Sequence, residues 1–179
     1  MSRIGKQIIS IPSGVQITHD GFVITVKGPK GQLTQKLHPH VSVSIDESTV
    51  QVNVADTENK LDRSLWGLSQ RLISNMVQGV TAGYEKKLEI NGVGFKVALG
   101  GSGLNLSLGF SHPTTFVIPQ GVTATVEKNV VTFSSIDKQL LGETAAQLRR
   151  LKPPEVYKGK GIKYSEEVIR RKAGKTAKA

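Results

Sequence analysis

The sequence predicts an α+β fold: two similar small domains, each a mainly antiparallel β-sheet packed with one α-helix, followed by a basic C-terminal tail. Three observations carry this. Apolar and polar residues alternate across several turn-punctuated stretches, the pattern of hairpins. Each half of the chain then changes to one run with helical spacing. Charge is segregated as well: of 24 Lys+Arg and 14 Asp+Glu in 179 residues, 11 Lys and Arg and only three Glu lie from Arg149 onward.

The elements follow in chain order. The opening "MSRIGKQIISIPSG" lacks a long apolar core and a small-residue cleavage site, so no signal peptide is expected. "GFVITVKGPKGQLTQKL", from Gly21 to Leu37, reads as a hairpin: Phe22, Ile24 and Val26 alternate, Gly28-Pro29-Lys30-Gly31 supplies turn chemistry, and Leu33, Gln35 and Leu37 resume the period of two. Val41, Val43 and Ile45, then Val50, Val52 and Val54, make a second hairpin. Leu61, Leu65, Leu68, Leu72 and Met76 keep helical spacing, with Gly79 as the expected stop. Trp66 sits one position off that stripe and is expected to pack on its flank.

The second half repeats the form. "GFKVALGGSGLNLSLGF" is a glycine-turned hairpin, with further strands expected at Thr115–Ile118, Val122–Glu127 and Val130–Ser134. Leu141, Ala145, Leu148 and Leu151 then take helical spacing. Phe95 falls 73 residues after Phe22, His112-Pro113 falls 74 after His38-Pro39, and Leu148 falls 76 after Leu72. This near-constant offset predicts a duplicated domain. A second register competes with it: "IPSGVQIT" at Ile11 matches "IPQGVTAT" at Ile118, 107 residues apart. One tandem duplication cannot produce both. The predicted boundaries are 1–83, 84–151 and a basic extension at 152–179.

Composition narrows the function. A formal net charge of +10 favours an anionic partner: nucleic acid, an acidic protein or a membrane surface. With no cysteine there are no disulfides or Cys-based zinc sites, which suits a reducing cytoplasm. No apolar run approaches the roughly 20 residues of a membrane helix. His19, His38, His40 and His112 have no partners at metal-ligand spacing and read as solvated turn residues. No glycine pattern matches a phosphate-binding loop or a dinucleotide fingerprint, and no spaced carboxylate pair suggests acid–base work. No catalytic residue, metal or cofactor is expected.

The tail is more informative. Pro153-Pro154 cannot continue the preceding helix and pre-set an extended path. In "PPEVYKGKGIKY" Gly159 and Gly161 admit close approach or positive φ, Lys158, Lys160 and Lys163 offer mobile charges, and Tyr157 and Tyr164 can stack or anchor. No residue of this strip is expected to join a core; it reads as a phosphate-tracking segment. Lys172 to Ala179 has almost nothing apolar to bury and is expected to be mobile in the free protein.

"PPEVYKGKGIKYSEE" resembles the C-terminal motif of the bacterial large-subunit ribosomal protein L-six family. "SRIGKQIISIP", "VKGPKGQL", "LISNMVQGVTAGYEKKLEINGVGFK" and "LGFSHP" resemble that family's other motifs in the same order, along nearly the whole chain. The family often has proline where this chain has Val156. The resemblance implies two similar α+β domains and a non-enzymatic part in the large ribosomal subunit. It implies binding of the large ribosomal RNA near the sarcin–ricin loop, beside the translation-factor site at the base of the stalk. It also implies neighbouring ribosomal proteins as partners, no membrane and no homo-oligomer. The residues it carries over are Ser2, Arg3 and Lys6, the loop Ser111-His112-Pro113, the strip Tyr157 to Tyr164, and the basic residues after it, Arg170, Arg171, Lys172 and Lys175; Arg149, Arg150 and Lys152, which open the basic tail, are expected to bind RNA by their charge.

A-form RNA hides its major groove, so a Lys- and Gly-rich strip without an aromatic platform fits a reader of phosphates, 2′-hydroxyls and shape. Two other classes fit the sequence: a basic adaptor that binds an acidic protein, and a small enzyme whose site has no sequence signature.

Overall fold

The computed structural model describes residues 3–46, 48–101 and 103–174. The chain divides into two compact units: one runs to Gly83 and takes in Ile136–Lys138, the other comprises Tyr84–Ser135 and continues from Gln139.

In the first unit the strands are β1 (Ile9–Ser10), β2 (Gln16–Asp20), β3 (Val23–Gly28), β4 (Gly31–Lys36), β5 (Val41–Ile45) and β6 (Thr49–Val54), followed by α1 (Lys60–Thr81). They make two three-stranded antiparallel sheets, ordered β1-β6-β5 and β2-β3-β4. Alternation does the sorting: Ile24 and Val26 on β3, and Val50 and Val52 on β6, are buried against α1, while their neighbours face outward.

The helix presents a different face from the one the leucines suggest. Leu61 and Leu68 are more than half exposed and Leu72 is partly buried, whereas Trp66, Ile73, Met76, Val77 and Val80 form the core stripe. Trp66 is therefore a core residue, and its indole Nε1 donates to the Val52 carbonyl at 2.6 Å. The difference has a physical root: α1 also buries the polar Asp62, Ser69 and Gln70, which apolar spacing ignores. Asp62 is held by His40 Nδ1 at 2.8 Å and by the Asp56 N–H at 3.2 Å, so His40 is bonded rather than merely solvated. The bond from His40, with that from Asp56, holds the Asp62 carboxyl below its ordinary range against the cost of burial. Asn59 caps the helix by accepting from the Leu61 N–H. Gly79 is buried inside α1; the stop comes at Ala82 and Gly83, whose N–H groups both donate to the Gln78 carbonyl.

The second unit has β7 (Tyr84–Asn91), β8 (Lys96–Gly100), β9 (Gly103–Ser107), β10 (Thr114–Val117), β11 (Val122–Glu127), β12 (Val130–Ser135), α2 (Lys138–Leu151) and β13 (Gly161–Tyr164). Its sheets are ordered β10-β9-β8 and β11-β12-β7-β13. Leu88, Ile90, Val131 and Phe133 meet Leu141, Ala145 and Leu148 of α2 in the core. Residues 152–164 are not a separate extension: β13 is the fourth strand of this sheet, and Ile162 is fully buried.

The two units repeat one plan, in a register that neither sequence match gives. Equivalent buried positions are Ile24 and Leu104, Val26 and Leu106, Val50 and Val131, and Val52 and Phe133, at offsets of 80 or 81. In the helices Trp66, Ile73 and Leu141, Leu148 correspond at 75. Of the six-residue step from 81 to 75, three arise because five residues join β6 to α1 and two join β12 to α2, and three because Trp66 is the seventh residue of α1 and Leu141 the fourth of α2. The match at 107 is local. In both copies the N–H after the glycine donates to the proline carbonyl (Val15 to Pro12 at 3.2 Å, Val122 to Pro119 at 3.3 Å), and Gly14 and Gly121 take φ of +87 and +88. The same turn chemistry thus recurs ahead of two non-equivalent strands.

Candidate nucleic-acid interface

The basic strip is built into the second unit by its backbone. Ile162 N–H donates to the Lys152 carbonyl at 2.8 Å, Glu155 N–H to Lys160 at 2.8 Å, Gly159 N–H to Glu155 at 3.0 Å and Lys172 N–H to Val156 at 2.9 Å. The segment 155–160 is thereby closed into a loop. β13 then runs antiparallel to β7, with Ile162 opposite Ile90 and Lys163 opposite Glu89. Ile162 corrects the expectation that the strip joins no core: its side chain lies among Leu88, Ile90 and Leu148.

The two glycines act differently from free hinges. Gly161 has φ +134, and a Cβ there would lie 2.6 Å from the Pro153 carbonyl oxygen. The chain's own backbone therefore requires glycine there. Gly159 has φ +72, and a Cβ there would lie 3.1 Å from Arg171 Nη2. Gly159 and Gly161 are both buried.

The basic residues divide into paired and open ones. Arg149 binds Glu167 through two bonds, Nε to Oε2 at 2.9 Å and Nη2 to Oε1 at 2.5 Å. That pairing raises the Arg149 pKa and lowers that of Glu167, which the Tyr164 N–H also supports. Lys163 Nζ lies 2.9 Å from Glu89 Oε2 and is mostly covered. Tyr164 is half-buried, with Lys86 Nζ and Arg149 Cζ 5.9 and 6.0 Å from its ring centroid. These groups hold β13 in place. Arg150, Lys158, Lys160, Arg170, Arg171 and Lys172 are exposed and, among the described residues, pair with no carboxylate. Tyr157 is exposed beside Lys158. Lys152 is half-buried, its ammonium 4.6 Å from the centre of the Phe110 ring.

Arg3 and Lys6 lie in the first unit, exposed in the turn before β1. His112 is exposed in the loop between β9 and β10, near-parallel to Phe110 at 6.5 Å. Ser2 and Lys175 lie outside the described residues, as does most of the segment expected to be mobile. Sequence reasoning missed Glu89 and Glu167, which neutralise two of the predicted RNA-binding cations, and Phe110. Strand alternation on β7 could have found Glu89. Glu167 is 18 residues from Arg149 and had no local signal.

A cleft of about 340 Å³ lies between α2 and the end of β13, lined by Lys86, Gly142, Ala145, Tyr164, Glu166 and Glu167. It holds no nucleophile with an adjacent base. Among the described residues no three His, Asp or Glu converge as a metal site, and no helix is long and apolar enough to cross a membrane.

The family model described as Ribosomal protein L6 matches the chain twice, over residues 11–83 and 91–165. Among curated relatives, the large ribosomal subunit protein uL6 of Solidesulfovibrio magneticus is 51% identical over 98% of both chains. That of Desulforapulum autotrophicum is 48% identical over 99% of both, and that of Anaeromyxobacter dehalogenans 50% over 100% of both. The double match agrees with the structural repeat, and its second copy reaches through β13.

Proposed function

Because the chain belongs to the Ribosomal protein L6 family, we propose that it binds large-subunit ribosomal RNA through the strip at 157–172 of its second unit. It is a structural component of the large ribosomal subunit, working in the cytoplasm as part of the ribosome, and not an enzyme. The carrying observation is the set of exposed, carboxylate-free cations: Arg150 at the end of α2, Lys158 and Lys160 on the closed 155–160 loop, and Arg170, Arg171 and Lys172 on the segment whose Lys172 N–H donates back to the Val156 carbonyl, with β13 anchoring the whole to the sheet. Charges on such a support meet phosphates without first ordering a loose tail. Lys163 and Arg149 position the strip rather than touch RNA, since each already has a carboxylate. Gly159 and Gly161 shape it, and Tyr157 is free to lie on a ribose or base. The seat that the family resemblance implies, near the sarcin–ricin loop and beside the factor site at the stalk base, is the target we adopt. Arg3, Lys6 and His112 are secondary RNA-binding residues in this reading.

The test is salt-dependent binding to a large-subunit RNA fragment carrying that region. The double variant Lys158→Gln/Lys160→Gln should bind more weakly, with the slope of log K against log salt reduced by roughly 0.7–0.9 for each phosphate that is no longer neutralised. Lys163→Gln should leave the slope unchanged. Equal slopes for the parent and the double variant would sink the proposal. A basic adaptor for an acidic protein would instead show weak salt-dependent RNA binding in the parent itself.

A further inference from the structure

The loop between β9 and β10 leaves an aromatic ring outside although the large apolar residues before and after it along the chain are inside. Leu108 and Phe116 are buried at 1% and 8% exposure, yet Phe110 is 43% exposed. The loop is braced to hold this geometry. Gly109 takes φ +75, and a Cβ there would lie 3.2 Å from Phe95 Cε1, so Phe95 occupies the place beneath the turn. His112 stacks near-parallel to Phe110, with 6.5 Å between centroids and 20° between planes. Lys152 Nζ stands 4.6 Å from the Phe110 centroid. The carbonyl of that same Lys152 holds the Ile162 N–H of β13 at 2.8 Å. One residue therefore joins the aromatic loop to the basic strip.

We propose that Phe110 and His112 form a stacking platform for one unpaired nucleobase of the RNA whose phosphates the strip holds. The inference rests on the RNA reading above and adds base recognition to it. Every base has a π-face, and aromatic and imidazole rings are the surfaces on which splayed-out RNA bases stack. The neighbouring ammonium supplies a phosphate partner for the same nucleotide or the next. The Phe110–His112 pairing keeps both rings oriented before binding, which lowers the ordering cost. The ammonium beside the ring favours an anionic occupant, and the flat, paired rings favour a base over an aliphatic side chain.

The experiment uses the full chain re-bound to large subunits that have been stripped of this protein by a high-salt wash. Phe110→Leu keeps size and apolarity but removes the π-face; Phe110→Trp restores it. Phe110→Leu should lower affinity about tenfold with the salt slope unchanged. One unpaired nucleotide should regain reactivity toward 2′-hydroxyl acylation while hydroxyl-radical protection of the backbone persists. Phe110→Trp should restore both. Phe110→Leu binding within about twofold of the parent, with the parent's acylation pattern, overturns the platform and leaves the RNA reading standing. A photocrosslink from position 110 to a neighbouring protein also overturns it. If the parent protects no RNA backbone at all, platform and RNA reading fall together.

Discussion

The two units share one plan but are held and charged by different means. Residues 1–83 carry eight Lys and Arg against six Asp and Glu, and the span 84–148 carries five of each. The excess positive charge of the second unit thus comes entirely from Arg149 onward. The first unit buries its polar groups on the helix: Trp66 donates to Val52, and Asp62 is clasped by His40 and Asp56. The second adds a strand, β13, and fastens it with carboxylates, Glu167 on Arg149 and Glu89 on Lys163. On the proposed reading, a repeated fold stays nearly neutral in one copy and becomes an anion-binding surface in the other through the chain added around one extra strand. The acidic residues nearest the strip serve to set which cations remain open.

Core truncation should have the largest effect and tests whether the units are separate cores. Ile73→Ala in the first and Leu148→Ala in the second should each cost about 2–5 kcal/mol in denaturant unfolding. Leu68→Ala, on the exposed side of α1, should change stability by less than about 0.5 kcal/mol. Amide exchange should accelerate mainly within the truncated unit. Acceleration spread evenly over both would dissolve the distinction between them.

Gly161→Val should come next and has no counterpart in the first unit. The added Cβ meets Pro153's backbone and the φ of +134 is one that L side chains rarely adopt, so the loss should be about 3 kcal/mol, read by unfolding of the RNA-free protein. An RNA-free protein as stable as the parent but deficient in binding would show that Gly161 serves the partner instead.

The smallest effects are acid-dependent and occur in both units. Asp62 and Glu167 have folded pKa values lowered by their partners, chiefly His40 and Arg149. The stability they add is present above the ordinary carboxyl range and is lost as pH falls through the folded values. Asp62→Asn and Glu167→Gln should each flatten the fall of stability with acid, measured as urea midpoints at a series of pH values. Equal slopes in parent and variant would mean that the pairing adds nothing in solution.

The hairpins and helices were legible because their patterns are local: β3, β4, β5, β6, β8 and β9 follow from alternation and turn residues, and α2 from its leucine spacing. The face of α1 was not, because Asp62, Ser69 and Gln70 are buried, and only tertiary partners make that possible. β13 lacks a signal for a related reason. "GIKY" is too short to register, and pairing with β7 across 70 residues makes it a strand. In β7 the charges of "YEKKLEI" mask the alternation of Leu88 and Ile90 about Glu89. The open cations were legible as charge, but which of them were already paired was not. That depended on carboxylates that are distant in sequence or lie across the sheet.

The pairing of Gly161 with Asn91 also has a consequence in time. A chain is made from its N-terminus, and its domains fold as units as they emerge. β13 is therefore the last strand to become available, and β7 waits for it with one hydrogen-bonding edge unfilled. Until Ile162 docks, the lysines of the strip hang on loose backbone and grip an anion weakly. On the proposed reading, a nascent chain that has not passed Tyr164 lacks the strand that mounts the strip and competes poorly for the site.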